Sequence, residues 1–347
     1  VRVHITDVRQ GDILDEDVFN HYGLHVLSKG TVLGEKEITR LLQHQIDYVK
    51  VDRSPRSPEI APSPEARLIE RMQPVFQDAV RLSESLFREA NANGFIKEKD
   101  VDDSFRPLAA QFRTEQDIVQ ILLSLHDPGE YTYKHSVQVG MLSYFIAEWL
   151  GWSQEEAFRA GKAGFLHDIG KCRIPPEILN KPGKLTAEEF EEIKKHPVYG
   201  HEIITSSFPD EVIALGALQH HERVDGSGYP YGLTGADIHP IGKIVAVADV
   251  YSAMISTRIY QEAKNLFDVL QELHRLSFTG LDPKVTQTFI RRMLPNFIGK
   301  KVDLSNGESG RIVATNATDF FRPLVKVGDR FIDLSKQNDL FIVKVDS

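Results

Sequence analysis

Apolar positions recur along this chain with two periods, and the change of period divides it. Near the N-terminus, Val1–Ile5 and Leu24–Ser28 are β-prone runs, and Gly30 and Gly34 mark turns. Residues Glu35–Gln45 place Ile38, Leu41 and Leu42 on one helical face, and Tyr48–Val51 is β-prone again. Pro55, Pro58, Pro62 and Pro64, set among serines, then interrupt residues 53–64. Such spacing supports neither a helix nor a central strand, so this stretch is expected to be a solvated linker. Residues 65–127 have helical spacing, with Leu68, Ile69, Met72 and Phe76 first and Ile118, Ile121 and Leu122 later. Pro74 is expected to kink or restart the first of these helices. From about Phe297 the period returns to that of strands, at Val302–Leu304, Gly310–Ala314, Leu324–Val327, Phe331–Leu334 and Leu340–Val345. Asn306-Gly307 suits a tight turn. The expected organisation is a small α+β module over 1–52, the linker at 53–64, and a helical lead-in at 65–127. A helical domain follows over 128–295, with a small β module over 296–347.

Within the helical domain the apolar stripes end in polar groups. His135 starts a stripe continued by Val139, Leu142, Ile146 and Trp149. The next helix opens on Ser153-x-x-Glu156, a capping box, and its stripe of Ala157, Ala160, Gly161 and Gly164 leads to His167 and Asp168. A third opens on Thr186-x-x-Glu189, is expected to bury Phe190 and Ile193, and ends at His196-Pro197. A fourth runs through Ile213, Gly216 and Ala217 to His220 and His221, and a fifth through Ile241, Val245 and Ala248 to Asp249 and Ser252. A buried carboxylate or imidazole is costly without a partner. Imidazoles and carboxylates together suit a divalent transition metal. His135, His167, Asp168, His196, His220, His221 and Asp249 are too many for one tetrahedral ion and fit two ions sharing a carboxylate. The remaining histidines, His4, His21, His25, His44, His126, His201, His239 and His274, are read as packed or surface residues.

Composition narrows the class without naming it. The 347 residues are 41% hydrophobic and 26% charged, an ordinary globular balance with room for more than one domain. A net charge of −9 with no long basic block argues against a nucleic-acid polymer or an anionic membrane as partner. The single cysteine, Cys172, excludes an intramolecular disulfide and suits a reducing, cytoplasmic compartment. It abuts Lys171, where it is read as packing and as a point at which oxidation would disturb metal loading. No signal peptide or membrane-spanning run is expected, and the start at Val1 points to a missing leading residue.

Read in order, the same residues form a longer signature. His135-Ser136, His167-Asp168-Ile169-Gly170-Lys171, His196-Pro197-x-x-Gly200 and His220-His221-Glu222-x-x-Asp225-Gly226-Ser227-Gly228-Tyr229-Pro230, followed by Ala248-Asp249 and Arg258, resemble the HD-GYP family over about residues 115–295. That resemblance implies a mainly α protein with an all-helical HD-type metallophosphohydrolase core. It also implies bacterial second-messenger signalling by metal-dependent hydrolysis of cyclic di-GMP to pGpG or GMP. Carried over, Asp168 is the bridging carboxylate. His135, His167 and Asp249 complete one metal position, and His196, His220 and His221 the other. The centre is expected to hold two divalent ions, iron or manganese by family, with zinc or nickel open to the same ligands. A hydroxide between the ions is the expected nucleophile. Lys171 and Arg258 are expected on the substrate phosphates, and Gly228 and Tyr229 in the substrate loop, with Tyr229 either buttressing the site or meeting a guanine.

Three departures shape further expectations. Tyr131 stands where some members carry a glutamate for a third metal, and Glu130 is one residue out of register, so two metals are expected. Ser252 replaces a frequent aspartate, which would remove a hydrogen-bond acceptor behind the site. Ile259 and Gln261 replace a proline and a basic residue, which would remove one phosphate contact. Two other readings remain: a cyclic di-GMP receptor or scaffold of weak activity, and a phosphohydrolase of another cyclic nucleotide or dinucleotide. A homodimer through the helix at 65–92, or contact with other signalling proteins, is expected by analogy alone.

Overall fold

The computed structural model describes residues 2–19, 25–44, 46–52, 64–113, 131–258 and 266–345. Residues 53–63 of the linker expected at 53–64, together with His21, Leu24, Ile118, Ile121, Leu122, His126, Glu130, Ile259 and Gln261, lie outside them, whereas Pro64 already opens a helix. The chain divides into two compact units, Val1–Arg71 and Met72–Ser347.

In the first unit, β1 (Arg2–His4), β2 (Ile13–Leu14) and β5 (Tyr48–Asp52) form an antiparallel sheet in the order β1-β5-β2, while β3 (Val18–Phe19) pairs with β4 (His25–Leu27). Helix α1 (Glu35–Gln43) starts at Gly34, whose backbone is extended, so Gly34 begins the helix rather than making a turn. Val3, Leu14, Val26, Leu33, Leu41 and Val51 share the core. Leu42 does not join Leu41 there; it is 54% exposed, because the buried stripe is narrower than the apolar one.

Helix α2 (Pro64–Asn93) belongs to the second unit from Met72 on, and it stays helical across Pro74 instead of restarting there. Pro74 lies on the exposed face, while Met72, Phe76, Val80, Ser83 and Phe87 are buried at helical spacing. After α3 (Glu98–Phe112), α4 (Tyr131–Trp149) and α5 (Gln154–Leu166) pack along each other. Small residues permit that approach: a Cβ on Gly161 would lie 3.1 Å from the Tyr144 Cβ, and one on Gly164 2.7 Å from the Val139 carbonyl. A 3-10 turn (Ile169–Arg173), α6 (Pro176–Leu179), α7 (Ala187–Ile193), α8 (His196–Ser207) and α9 (Glu211–Gln219) follow. Then come α10 (Pro240–Arg258), α11 (Leu266–Leu276) and α12 (Pro283–Met293). Both expected capping boxes form, at Ser153 with Glu156 and at Thr186 with Glu189.

Strands β6 (Lys301–Leu304), β7 (Ser309–Ala314), β8 (Leu324–Val327), β9 (Arg330–Asp333) and β10 (Ile342–Val345) close the chain as one antiparallel sheet, ordered β10-β6-β7-β8-β9. Asn306-Gly307 joins β6 to β7, with Gly307 at φ 85°. The protein is therefore mainly α, with small sheets at both ends. No described helix is long and apolar enough to cross a membrane.

Candidate metal centre

The ends of helices leave backbone carbonyls without helical partners, and three imidazoles use them. Nδ1 of His167 lies 2.7 Å from the Gly164 carbonyl, Nδ1 of His196 2.7 Å from that of Ile193, and Nδ1 of His220 2.7 Å from that of Ala217. A carbonyl only accepts, so each Nδ1 donates and each Nε2 presents a lone pair to the interior. His135 lies within α4 and is held differently: its Nδ1 is 3.0 Å from the Ser252 hydroxyl on α10, and its Nε2 3.0 Å from Asp249 Oδ1. His221 is braced from the side by Tyr229, whose ring stacks on it with centroids 4.5 Å apart.

These groups converge on Asp168. Its Oδ2 lies 3.2 Å from His167 Nε2 and 2.6 Å from the Lys171 ammonium. Its Oδ1 lies 3.4 Å from His196 Nε2 and 3.9 Å from His220 Nε2. Donor atoms within reach of a common cation form three overlapping groups: His135, His167 and Asp249; His167, Asp168 and His220; and His196, His220 and His221. Among the described residues none of the other histidines joins them.

The electrostatics suit a cation. Burial opposes ionisation of Asp168, but His167 and the Lys171 ammonium hold its carboxyl well below the usual range. Asp249 behaves likewise, with burial opposed by His135. Burial and the adjacent imidazoles keep His220 and His221 well below the normal histidine value, hence neutral and able to ligate. His167 shifts up: burial would lower it, but the Asp168 carboxylate outweighs that. His167 Nε2 and Asp168 Oδ1 are buried without a hydrogen-bond partner, a cost of about 1–3 kcal/mol for each such group. Both atoms face the cluster centre, and a divalent cation there would satisfy both. The residues present thus fit a metal centre.

The loop after the tandem histidines is built for close approach. Gly226 takes φ +80°, whereas a Cβ on Gly228 would lie 2.5 Å from the His221 carbonyl. Buried Glu222 closes the loop by accepting from the backbone N–H groups of Tyr231 and Leu233, at 2.8 and 2.9 Å. Its place beside the histidine pair was the available signal for that role, and the motif reading passed over it. Gly170 is equally constrained, since a Cβ there would meet the His196 carbonyl at 2.0 Å.

Several expectations change. His196 opens α8, with Pro197 in its first turn, rather than closing the helix before it. Proline lacks the N–H that a first turn leaves unpaired anyway, so it favours a start. Phe190 is 45% exposed, not buried, and turns its ring edge toward Tyr229. Ser252 does not remove an acceptor, because its hydroxyl takes up that position against His135. Tyr229 buttresses His221. Burial raises the Cys172 thiol, which favours its protonated form. The side chains of Tyr131 and Arg258 lie outside the described residues.

Comparison with known proteins agrees with this geometry. Residues 117–285 match the HD domain family. The chain is 34% identical over 245 residues to a cyclic di-GMP phosphodiesterase of Pseudomonas aeruginosa, covering 70% of this chain and 59% of that protein. It is 37% identical over 163 residues to a 3'3'-cGAMP-specific phosphodiesterase of Vibrio cholerae, covering 47% of this chain and 38% of that one. The chain thus spans well under two thirds of these relatives' own lengths. In fold it resembles an HDG"Y"P protein of Bdellovibrio bacteriovorus, with a TM-score of 0.50, 17% identity, and coverage of 83% of this chain and 97% of that one. Residues 117–285 are thus similar to the HD domain family, and the string from His220-His221-Glu222 to Gly228-Tyr229-Pro230 carries the resemblance to its HD-GYP branch.

Proposed function

We propose that the chain hydrolyses cyclic di-GMP to pGpG or GMP. The reading rests on one observation: seven imidazole and carboxylate groups from five segments of the chain converge, with Asp168 between two sets of three. In this reading His135, His167 and Asp249 would hold one divalent ion, His196, His220 and His221 would hold the other, and Asp168 would be shared between them. Iron and manganese are the favoured ions, with zinc and nickel accepted by the same ligands. Such ions supply Lewis acidity and a water ionised at neutral pH.

The protein's own groups do the rest. The last-turn carbonyls keep three imidazoles aimed inward without reorganisation. Lys171, only part-buried beside Asp168, places its ammonium where a phosphoryl oxygen would gather charge. Arg258 is assigned to the second phosphate contact on its motif position. Tyr229 holds His221 in place and forms a wall of the substrate loop.

The test is chromatography of products after metal-loaded protein meets cyclic di-GMP, with metal content measured on the same sample. Two ions per chain and repeated turnover to pGpG or GMP would support the proposal. Bound but unconsumed nucleotide would overturn it in favour of a receptor. The likeness to a 3'3'-cGAMP-specific enzyme motivates a second reading, hydrolysis of another cyclic dinucleotide. Competition between the two dinucleotides at equal concentration decides between them.

A further inference from the structure

We propose that Ser252 is the positioning residue of His135, through which it acts on the His135–His167–Asp249 metal position. The proposal rests on the two-ion reading above, and its test has an arm that does not. His167, His196 and His220 are each oriented by a carbonyl three residues back, at 2.7 Å. Those acceptors belong to the local backbone and cannot rotate away. His135 instead meets a side chain from another helix, the Ser252 hydroxyl at 3.0 Å.

A hydroxyl has one proton to give, and here its direction is set. Ser252 Oγ donates to Gln138 Oε1 at 3.1 Å, so a lone pair of the hydroxyl faces His135. Nδ1 of His135 is then the donor, and Nε2 is directed at Asp249 and the centre. Gln138 lies one turn along α4 from His135, so the relay runs from α4 to α10 and back. His135, Gln138 and Ser252 are 5%, 8% and 3% exposed, which leaves water little access as a substitute acceptor.

A neutral hydroxyl raises imidazole basicity less than a carboxylate would, and a relay of two rotatable side chains holds the ring less firmly than a fixed carbonyl. Loss of a hydrogen-bond partner behind a metal-ligating histidine typically costs 10–100-fold in metal affinity. Removing the hydroxyl should weaken only the position that contains His135.

The experiment compares wild type, Ser252→Ala and Ser252→Thr by metal retained along a series of chelator concentrations. It is joined to 15N chemical shifts of the His135 imidazole in metal-free protein. Wild type is expected to show an Nδ1–H on His135. Ser252→Ala should release one ion at about 10–100-fold lower chelator concentration than wild type, retain the other as wild type does, and lose the Nδ1–H. Ser252→Thr, which keeps a hydroxyl, should restore both readouts. Wild-type retention and an unchanged tautomer in Ser252→Ala would overturn the proposal, as would equal weakening of both ions. If wild type binds fewer than two ions, the two-ion reading fails. The 15N signal of the alanine variant then decides the Ser252 assignment alone, an unchanged tautomer refuting it.

Discussion

The two oxygens of Asp168 face different histidines, Oδ2 toward His167 and Oδ1 toward His196. Asp168→Ala is therefore expected to lose bound metal and to abolish hydrolysis, and His167→Ala to do the same. Wild-type metal content in Asp168→Ala would refute its place between the ions. Lys171→Ala should retain metal but lose rate by about 10²–10³-fold, the usual effect of removing one stabilising group from a developing charge. Metal analysis beside single-turnover kinetics checks this, and lost metal would make the lysine a support for Asp168 instead. All seven donor residues were legible in the sequence, because each stands at the end or on the inner stripe of a helix. The role of Ser252 was not. Its partner His135 is 117 residues away, and a serine in a helix carries no sign of what it meets across a helix interface.

Helix starts were the most readable elements, because capping is a short-range event. Thr186 accepts from the Glu189 N–H, and Glu189 answers with the Thr186 N–H. Thr186→Ala should cost about 1 kcal/mol of stability with metal content unchanged, as thermal unfolding and metal analysis would show. Gly170→Ala offers a contrast from the packing of elements. The added Cβ would strike the His196 carbonyl at 2.0 Å and the Gly200 nitrogen at 2.4 Å, both backbone atoms. Forcing α8 away should cost about 1–3 kcal/mol and lower metal content, since His196 and Asp168 lie on opposite sides of that contact. Unaltered metal binding in Gly170→Ala would show that the turn can shift without moving either ligand. Where element reading failed, competing local signals were responsible. Pro197 at a helix start resembled an ending, and Pro74 was tolerated on the exposed face of α2.

For the whole molecule, the buried imidazoles set a pH dependence. His220 and His221 are held well below 6.5 in the folded chain and return to ordinary values on unfolding. Below about pH 6.5 the unfolded chain therefore binds more protons than the folded one, and stability falls as pH drops. His167 is raised and has the opposite sign, but it is one group against two, and those two are the more strongly shifted. Asp168 and Asp249 are depressed, so their stabilisation is lost only as pH falls below about 4. Metal-free protein should melt at a lower temperature at about pH 5.5 than at about pH 7.5, and a flat profile in scanning calorimetry would contradict this.

The sequence by itself determined the change from helical to strand period, the capping boxes, the order of the motif residues and the positions of the histidines at helix ends. These follow from interactions within a few residues, which the order of residues fully specifies. Tertiary structure alone decided that Asp168 sits between two groups of donors, that Ser252 and Gln138 orient His135, and that Tyr229 braces His221 while Phe190 stays exposed. Each of those depends on which helix faces lie together. That is a property of the packed core, and no local pattern along the chain encodes it.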